Sequence, residues 1–470
     1  MIMENYRNFI NGEWIASSSQ ELMPVINPAT EEVINHVQKS NQEDVDQAVA
    51  AAKAAFPDWN ALSVDQRLNY LEKVYDGLKK YADLLVKTTV LELGASVNFA
   101  KDNHIPMAIK EMREYMDSAK DFDFEEEIDG ARVIKEGFGV VACITPWNYP
   151  LNQIQRKVTP ALIAGNTVVV KPASNTPLTA LVYAKVFEEA DLPHGVFNLV
   201  TGSGSEVGDY LAGHPDVAVI SFTGSTEVGR GLYEKAAPNI KKLILELGGK
   251  SVMLYLAGGD KDLAVKKSMD SILNNQGQTC SAFTRLLVPE AELEEFKELI
   301  EAYYQDHVKI GMPGDGETMV GPMVSAQQKE TVLDYIQKGI DEGAELFLGG
   351  QDIDHSGFYV QPTVFTQVDN QMTIAQEEIF GPVLCVLTYK DEEEALAIAN
   401  DSAYGLSGYV VGPKEKAVAM AEQLRTGNVF VNHASGSSRA PFGGYKESGL
   451  GREKGPYGIA DYLEIKTIFA

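Results

Sequence analysis

Apolar positions recur at three- and four-residue spacing over Asp44 to Asn60 and Ser63 to Leu93, the period of amphipathic helices. Ser63 and Gln66 have capping-box spacing, and the first part of the chain reads as a helical lead-in. From residue 140 the pattern changes. Short, wholly apolar runs, VVACI (140–144), TVVVK (167–171), VFNLV (196–200), VAVISF (217–222) and KLILEL (242–247), alternate with helical stretches near 152–164, 178–190, 205–213 and 227–237. Strands separated by helices pair in parallel through right-handed crossovers, and continuous apolar character implies burial on both faces. A second alternation runs from about 251 to 445. It contains SVMLYL, a helix near 262–275, RLLVPE, a helix near 325–342, PVLCVLTY, a helix near 391–400 and GNVFVN (427–432), with the junction near Gly248 and Gly249. Two pieces fit neither unit. ARVIKEGFGVV (131–141) is predicted to be a hairpin turning at Gly137, and DYLEIKTIFA (461–470) a strand. A terminal apolar strand needs a partner, either within its own chain or across a subunit boundary.

The chain has 470 residues, enough for two or three domains, and 44% hydrophobic with 23% charged residues is ordinary for a globular protein. A formal net charge of −27 argues against nucleic acid and anionic membranes as partners. No run reaches the roughly 18 apolar residues that span a bilayer. The N-terminus lacks a basic region followed by an apolar run, so no signal peptide is expected. The three cysteines form no CxxC pair and the seven histidines no ligand spacing, so neither metal nor disulfide is expected, and a reducing cytoplasm fits.

Cys143 and Cys385 lie inside apolar strands and read as small buried hydrophobes. Cys280 lies in the polar run NNQGQTCSA (274–282), a setting suited to a nucleophilic thiolate. Gly277 there would let the backbone approach a ligand. Glu246 ends an apolar strand, in LILELGGKS. A glutamate so placed is either one half of a structural ion pair or a general base whose pKa burial raises. Asn148, in ITPWNYP (144–150), is a turn former or a donor to a developing oxyanion. FTGSTEVG (222–229), TGSGSEVG (201–208) and VVVKPAS (168–174) each end a parallel strand, at the edge where such sheets receive dinucleotides.

PWNYP, GNTVVVKPASNTP, FTGSTEVG, LELGGKS, NQGQTC, EEIFGPV and PFGGYKESGLGRE, in this order from residue 146 to 453, resemble the aldehyde dehydrogenase superfamily. The resemblance implies an α/β fold of two doubly wound parallel-sheet domains and a small oligomerisation arm that includes the C-terminal strand. The cofactor domain would cover 1–118 and 139–247, the catalytic domain 248–447, and the arm 119–138 and 448–470. It implies Cys280 as nucleophile, Glu246 as base, Asn148 with the Cys280 N–H as oxyanion hole, and Lys157 beside the glutamate. NAD or NADP would be held by Ile144, Thr145, Pro146, Trp147, Lys171, Ser174, Gly204, Gly208, Phe222, Gly224, Ser225, Val228, Leu247, Gly248, Glu378 and Phe380. The product would be a free acid, since members that pass the acyl group to coenzyme A commonly lack the glutamate.

Family members that prefer NAD often carry a glutamate where this chain has Ser174, so NADP is expected to be tolerated. Tyr149, Gln153, Arg156, Thr279, Ser281 and Phe442 would line the substrate funnel. Arg156 matches an arginine that reads the distal carboxylate in succinic-semialdehyde dehydrogenases, but their second arginine is Asn274 here. Arg156 therefore either reads a small polar or carboxylate-bearing aldehyde or pairs structurally with a nearby acid. A homodimer or homotetramer is expected. The rival activities are a thiol-dependent hydrolase, a coenzyme A-acylating dehydrogenase and a catalytically idle binding protein on the same fold.

Overall fold

The computed structural model describes residues 6–351, 353 and 356–470. Five parallel strands form the middle of an eight-stranded sheet, in the spatial order Phe197–Leu199, Thr167–Lys171, Val140–Ile144, Val217–Thr223, Lys242–Glu246. The chain starts at the central strand Val140–Ile144, winds to one side, then returns and winds to the other. The order therefore reverses between Val140–Ile144 and Val217–Thr223, which makes a topological switch point. The helices Pro150–Ile163, Pro177–Ala190 and Thr226–Ala236 supply crossovers. Val140–Ile144, Thr167–Lys171 and Phe197–Leu199 are buried throughout, as their unbroken apolar runs predict.

The strand Lys242–Glu246 passes through Leu247–Lys250 directly into Ser251–Tyr255, an inner strand of a second sheet. That sheet has seven strands, and only Glu345–Leu348 at one edge is antiparallel. Glu246 and the glycines at 248 and 249 lie on the segment that joins the two sheets.

The N-terminal lead-in is only partly helical. Gln42–Asn60, Val64–Lys80, Ala82–Leu93 and Ile105–Lys120 are helices, and Ser63 and Gln66 form the expected reciprocal cap at 3.2 and 2.8 Å. Before them, Asn8–Ile10 and Glu13–Ile15 form a hairpin that extends the first sheet, and Leu22–Ile26 pairs with Val33–Gln38. The first hairpin turns on Asn11 and Gly12, both at positive φ (53° and 79°), the two-residue geometry that matches strand twist.

A three-stranded antiparallel sheet stands apart from both bodies, in the order Leu463–Phe469, Ala131–Gly137, Glu125–Ile128. Its hairpin does not turn at Gly137 as predicted. It turns on Asp129 and Gly130, at φ 51° and 82°, again an Asx-Gly pair. Gly137 instead ends the strand where the chain crosses Gly165, and a Cβ there would lie 2.9 Å from that backbone. The C-terminal strand pairs with Ala131–Gly137 along its whole length within one chain, while Ile465 and Phe469 remain 66% and 83% exposed. Of the stretch 448–470 expected in the arm, Gly449–Leu450 joins the first sheet and the helix Gly455–Ala460 packs on Ile105–Lys120. The arm is therefore narrower than the sequence suggests. No helix among the described residues is long and apolar enough to cross a membrane.

Candidate active site

The helix Lys261–Leu273 stops at Asn274, and Asn275, Gln276 and Gly277 follow at φ 51°, 55° and 69°. Three consecutive left-handed residues are costly outside glycine, of order 1–3 kcal/mol each, and persist only where the surroundings over-determine them. Here they do. The Asn275 side chain donates to the Asn148 and Gln278 carbonyls at 2.9 and 3.2 Å, and Gln278 donates to the Asn275 carbonyl at 3.1 Å. The Val324 N–H donates to Gln278 Oε1 at 3.0 Å. Buried His104 contacts Asn275 Oδ1 at 3.2 Å through Nε2. Burial lowers its pKa to about 4 against that hydrogen bond, so the ring is neutral at pH 7. Gly277 makes room for the Gly381 carbonyl rather than for a ligand, since a Cβ there would come within 2.2 Å of that oxygen. This network presents Cys280 half-buried at the end of the turn, with Gly249 pressed against its carbonyl.

The Asn148 amide nitrogen donates to the Gln278 carbonyl at 3.0 Å, which ties it to the cysteine loop and leaves its second hydrogen for another acceptor. Burial pushes the Cys280 thiol up to about 12, and Glu378 and Glu246 add to the effect. The unliganded site therefore holds a thiol that needs a proton acceptor to become a nucleophile.

Glu246 ends its strand with both carboxylate oxygens buried and without a hydrogen-bond partner among the described residues. Burial and then Glu453 raise its pKa well above the usual carboxylate range, against Lys157, Arg156 and Arg452. Among the described residues no cation forms an ion pair with Glu246. Lys157 is fully buried and donates to Glu453 Oε1 at 2.9 Å. Glu453, at the end of the GLGRE run, is the member of this group that the sequence reading did not single out. A buried lysine demands a counter-charge, but nothing in the chain marks which acid, 296 residues away, supplies it.

The expected cofactor residues gather at the carboxyl edge of the first sheet. Ile144, Thr145, Pro146 and Trp147 follow the central strand, with the Thr145 N–H donating to the Lys171 carbonyl at 3.2 Å. Lys171 pairs with no acid among the described residues, and burial lowers it to about 8. Half-buried Ser174 sits in the turn after it. Gly204 borders open space and Gly208 overlies the Lys171 stem. The Phe222 ring fills the place of a side chain at Gly224. Ser225 caps the helix Thr226–Ala236, accepting from the Val228 N–H at 3.4 Å, and Val228 is 47% exposed on its first turn.

From the second body, Glu378 accepts from the Gly249 N–H at 3.0 Å and presses on Gly248, beside buried Leu247. Burial raises the Glu378 carboxyl to about 7. Phe380, left-handed at φ 54°, meets the Trp147 ring edge-on at 5.3 Å. An unpaired lysine, a helix N-terminus, an uncovered glycine turn and an apolar first helical turn on one sheet edge fit a dinucleotide.

A cavity of about 910 Å³ opens beside the cysteine loop. Tyr149, Thr279, Ser281 and Phe442 line it as expected, with the Tyr149 and Thr279 hydroxyls 3.0 Å apart and Tyr149 stacked on His104. Gln153 and Arg156 do not line it. Both are buried, and Arg156 is already occupied: its Nε and Nη2 donate to Glu111 at 3.0 and 2.9 Å, and Nη1 lies 3.5 Å from Glu453. The structural pairing weighed for Arg156 is what occurs, and the small polar or carboxylate-bearing substrate loses its main support. Phe99, Met107, Phe283 and Phe430 add aromatic and apolar wall from distant segments.

The family model for the aldehyde dehydrogenase family matches residues 14–468. A 3-succinoylsemialdehyde-pyridine dehydrogenase of a Pseudomonas species is 46% identical over 99% of both chains. A mutant aldehyde dehydrogenase C from Pseudomonas syringae, in complex with NAD+ and octanal, superposes with a TM-score of 0.96 at 43% identity, over 99% of this chain and 97% of that one. Betaine aldehyde dehydrogenase from Staphylococcus aureus, in complex with NAD+, gives 0.95 at 35% identity, over 99% and 94%.

Proposed function

This chain belongs to the aldehyde dehydrogenase family, and on that premise we propose that it oxidises an aldehyde to a free carboxylic acid through a thioester on Cys280, with NAD or NADP as oxidant. The reading rests on one juxtaposition: a half-exposed cysteine on a loop tied to the Asn148 amide, within electrostatic reach of the buried, unpartnered Glu246.

Glu246 accepts the Cys280 proton, and the sulfur attacks the aldehyde carbon. The free Asn148 amide hydrogen and the Cys280 N–H stabilise the oxyanion, an interaction typically worth about 3–4 kcal/mol per donor. The oxidised nicotinamide supplies a hydride acceptor. Loss of hydride from the thiohemiacetal leaves a thioester. Glu246 passes that proton on and, ionised again, takes one from water, which adds to the thioester carbon, and the acid departs as the thiolate reforms. Lys157 and Glu453 hold charge of both signs beside the base and offer a route for its proton.

Lys171, Ser174, the Gly204 turn and the Ser225-capped helix would hold the dinucleotide. Serine at 174 places no carboxylate against a 2′-phosphate, so both nucleotides are substrates. The exposed apolar face of the C-terminal strand supports a homodimer or homotetramer. Ultraviolet absorbance of the reduced nucleotide, followed with an aldehyde panel and each of NAD+ and NADP+, tests the reading. Wild type produces it, and Cys280→Ser should lose at least about a thousandfold in kcat, in the range seen when a nucleophile is removed. Turnover that survives the substitution rejects the thioester route.

A further inference from the structure

Arg156 does not itself line the cavity, but two of its contacts, Glu111 and Phe442, do. Glu111 lines the cavity, is almost fully buried, and receives the Arg156 guanidinium on both oxygens. The same carboxylate accepts from Asn152 Nδ2 at 2.9 Å and lies 2.9 Å from Lys454 Nζ. Lys454 also lines the cavity, and its ammonium sits 5.2 Å from the centre of the Phe442 ring, while the Arg156 guanidinium lies 5.3 Å from that centre. Arg156 and Lys454 are therefore both engaged by one internal acid. Burial alone would raise that acid, but Arg156 and Lys454 outweigh burial and hold it ionised, at about 2. The mouth carries both signs, with Lys110 and Lys267 against Asp102 and Asp270, and offers no cationic patch.

We propose that Glu111 determines specificity: its carboxylate takes the place on Arg156 that a substrate carboxylate would need, so the site selects aldehydes with an uncharged apolar tail and disfavours those with a distal carboxylate. This rests on the oxidation reading above. Fork-to-fork pairing with arginine is the strongest recognition a carboxylate can find, and an internal glutamate already satisfies it. An acidic substrate would have to leave water and compete with a fixed negative charge for Arg156 and Lys454. The aromatic wall of Phe99, Phe283, Phe430 and Phe442 accepts an apolar tail without such a penalty.

The test compares hexanal with adipic semialdehyde, which match in length and differ by a terminal carboxylate. In wild type, kcat/KM should favour hexanal by at least about tenfold, given an unpaired buried charge. Glu111→Gln keeps the shape and frees the charge of Arg156, and should move the ratio at least about tenfold toward adipic semialdehyde, as charge-assisted pairing predicts. Glu111→Gln combined with Arg156→Met removes both the blocker and the reader and should not gain adipic semialdehyde. A thermal melt of each variant confirms folding. If Glu111→Gln does not fold, the wild-type ratio decides alone, and equal rates or a preference for the acidic aldehyde overturn the proposal. A ratio unmoved by Glu111→Gln, or moved equally in the double variant, also overturns it. Absence of reduced nucleotide from either aldehyde overturns the oxidation reading and this proposal with it.

Discussion

Two glutamates lie buried in one charged cluster, and their states are opposite. Glu246 has no hydrogen-bond partner among the described residues and is pushed well above the carboxylate range. Glu111 has Arg156, Lys454 and Asn152 and is held at about 2. Burial raises both, and in both it is the largest influence. What separates them is whether a guanidinium lies close enough for bidentate contact. Burial alike leaves a fixed anion in one place and, on the proposed mechanism, a proton acceptor in the other. Burial therefore does not identify a base; burial without a partner does.

The largest effect that would break this comparison is on turnover. Glu246→Gln keeps the shape and removes the proton acceptor. Steady-state kcat should fall by about 10²–10⁴, the usual worth of a general base. Because water attack on the thioester is the step that requires the base a second time, a rapid mix should release no more than one equivalent of reduced nucleotide per site. Mass spectrometry should then find an acyl group on Cys280. Steady turnover at the wild-type rate would mean that another group activates water, and the contrast with Glu111 would lose its functional meaning.

Glu111 should answer in stability. Glu111→Ala leaves Arg156 and Lys454 buried without their acid, and breaking such a pair costs about 3–5 kcal/mol. The midpoint of chemical denaturation at pH 7 should fall accordingly. The pH dependence gives the sign. The carboxyl is lowered by folding from 4.5 to about 2, so its contribution is complete above pH 4.5 and is lost as pH falls toward 2. The stability gap between wild type and Glu111→Gln should close over that window. A gap that stays constant from pH 5 to pH 2.5 would show that the pair is not held as ions.

The proposed nucleophile was the most legible part of the candidate site. Cys280 differs from Cys143 and Cys385 by its neighbours alone, and the structure buries those two and half-exposes this one. Glu246 could be flagged because a glutamate closing an apolar strand violates the local pattern. The partners were not legible. Arg156 meets Glu111 from 45 residues upstream and Lys157 meets Glu453 from 296 downstream, and a charge in a helix carries no address for its counter-charge. The same holds for the cavity wall, where Phe99, Phe283 and Phe430 come from three separate elements. Two features were readable and were missed. Asn11–Gly12 and Asp129–Gly130 are strong short-range hairpin signals, and the second lies just before the stretch that Gly137 closes. Gly137 is needed for a backbone crossing, a constraint that sequence does not distinguish from a turn.

The smallest effect sharpens the comparison most, because its sign is unusual. Folding raises the Glu246 pKa above its unfolded value of 4.5, so the native state holds a proton that the unfolded chain releases. Stability then falls as pH rises from 4.5 to the native pKa, by about 1.4 kcal/mol for each unit of that interval, and stays level above it. Glutamine at 246 cannot ionise and escapes this loss. Glu246→Gln should therefore melt above wild type at pH 8 and level with it near pH 4, while being the variant with almost no turnover. A residue whose removal stabilises the fold and stops the reaction is kept for its chemistry. Glu111 should behave in the opposite way at every pH above 4.5, and if Glu246→Gln proved destabilising at pH 8, the unpartnered carboxyl would have a partner that the geometry does not reveal.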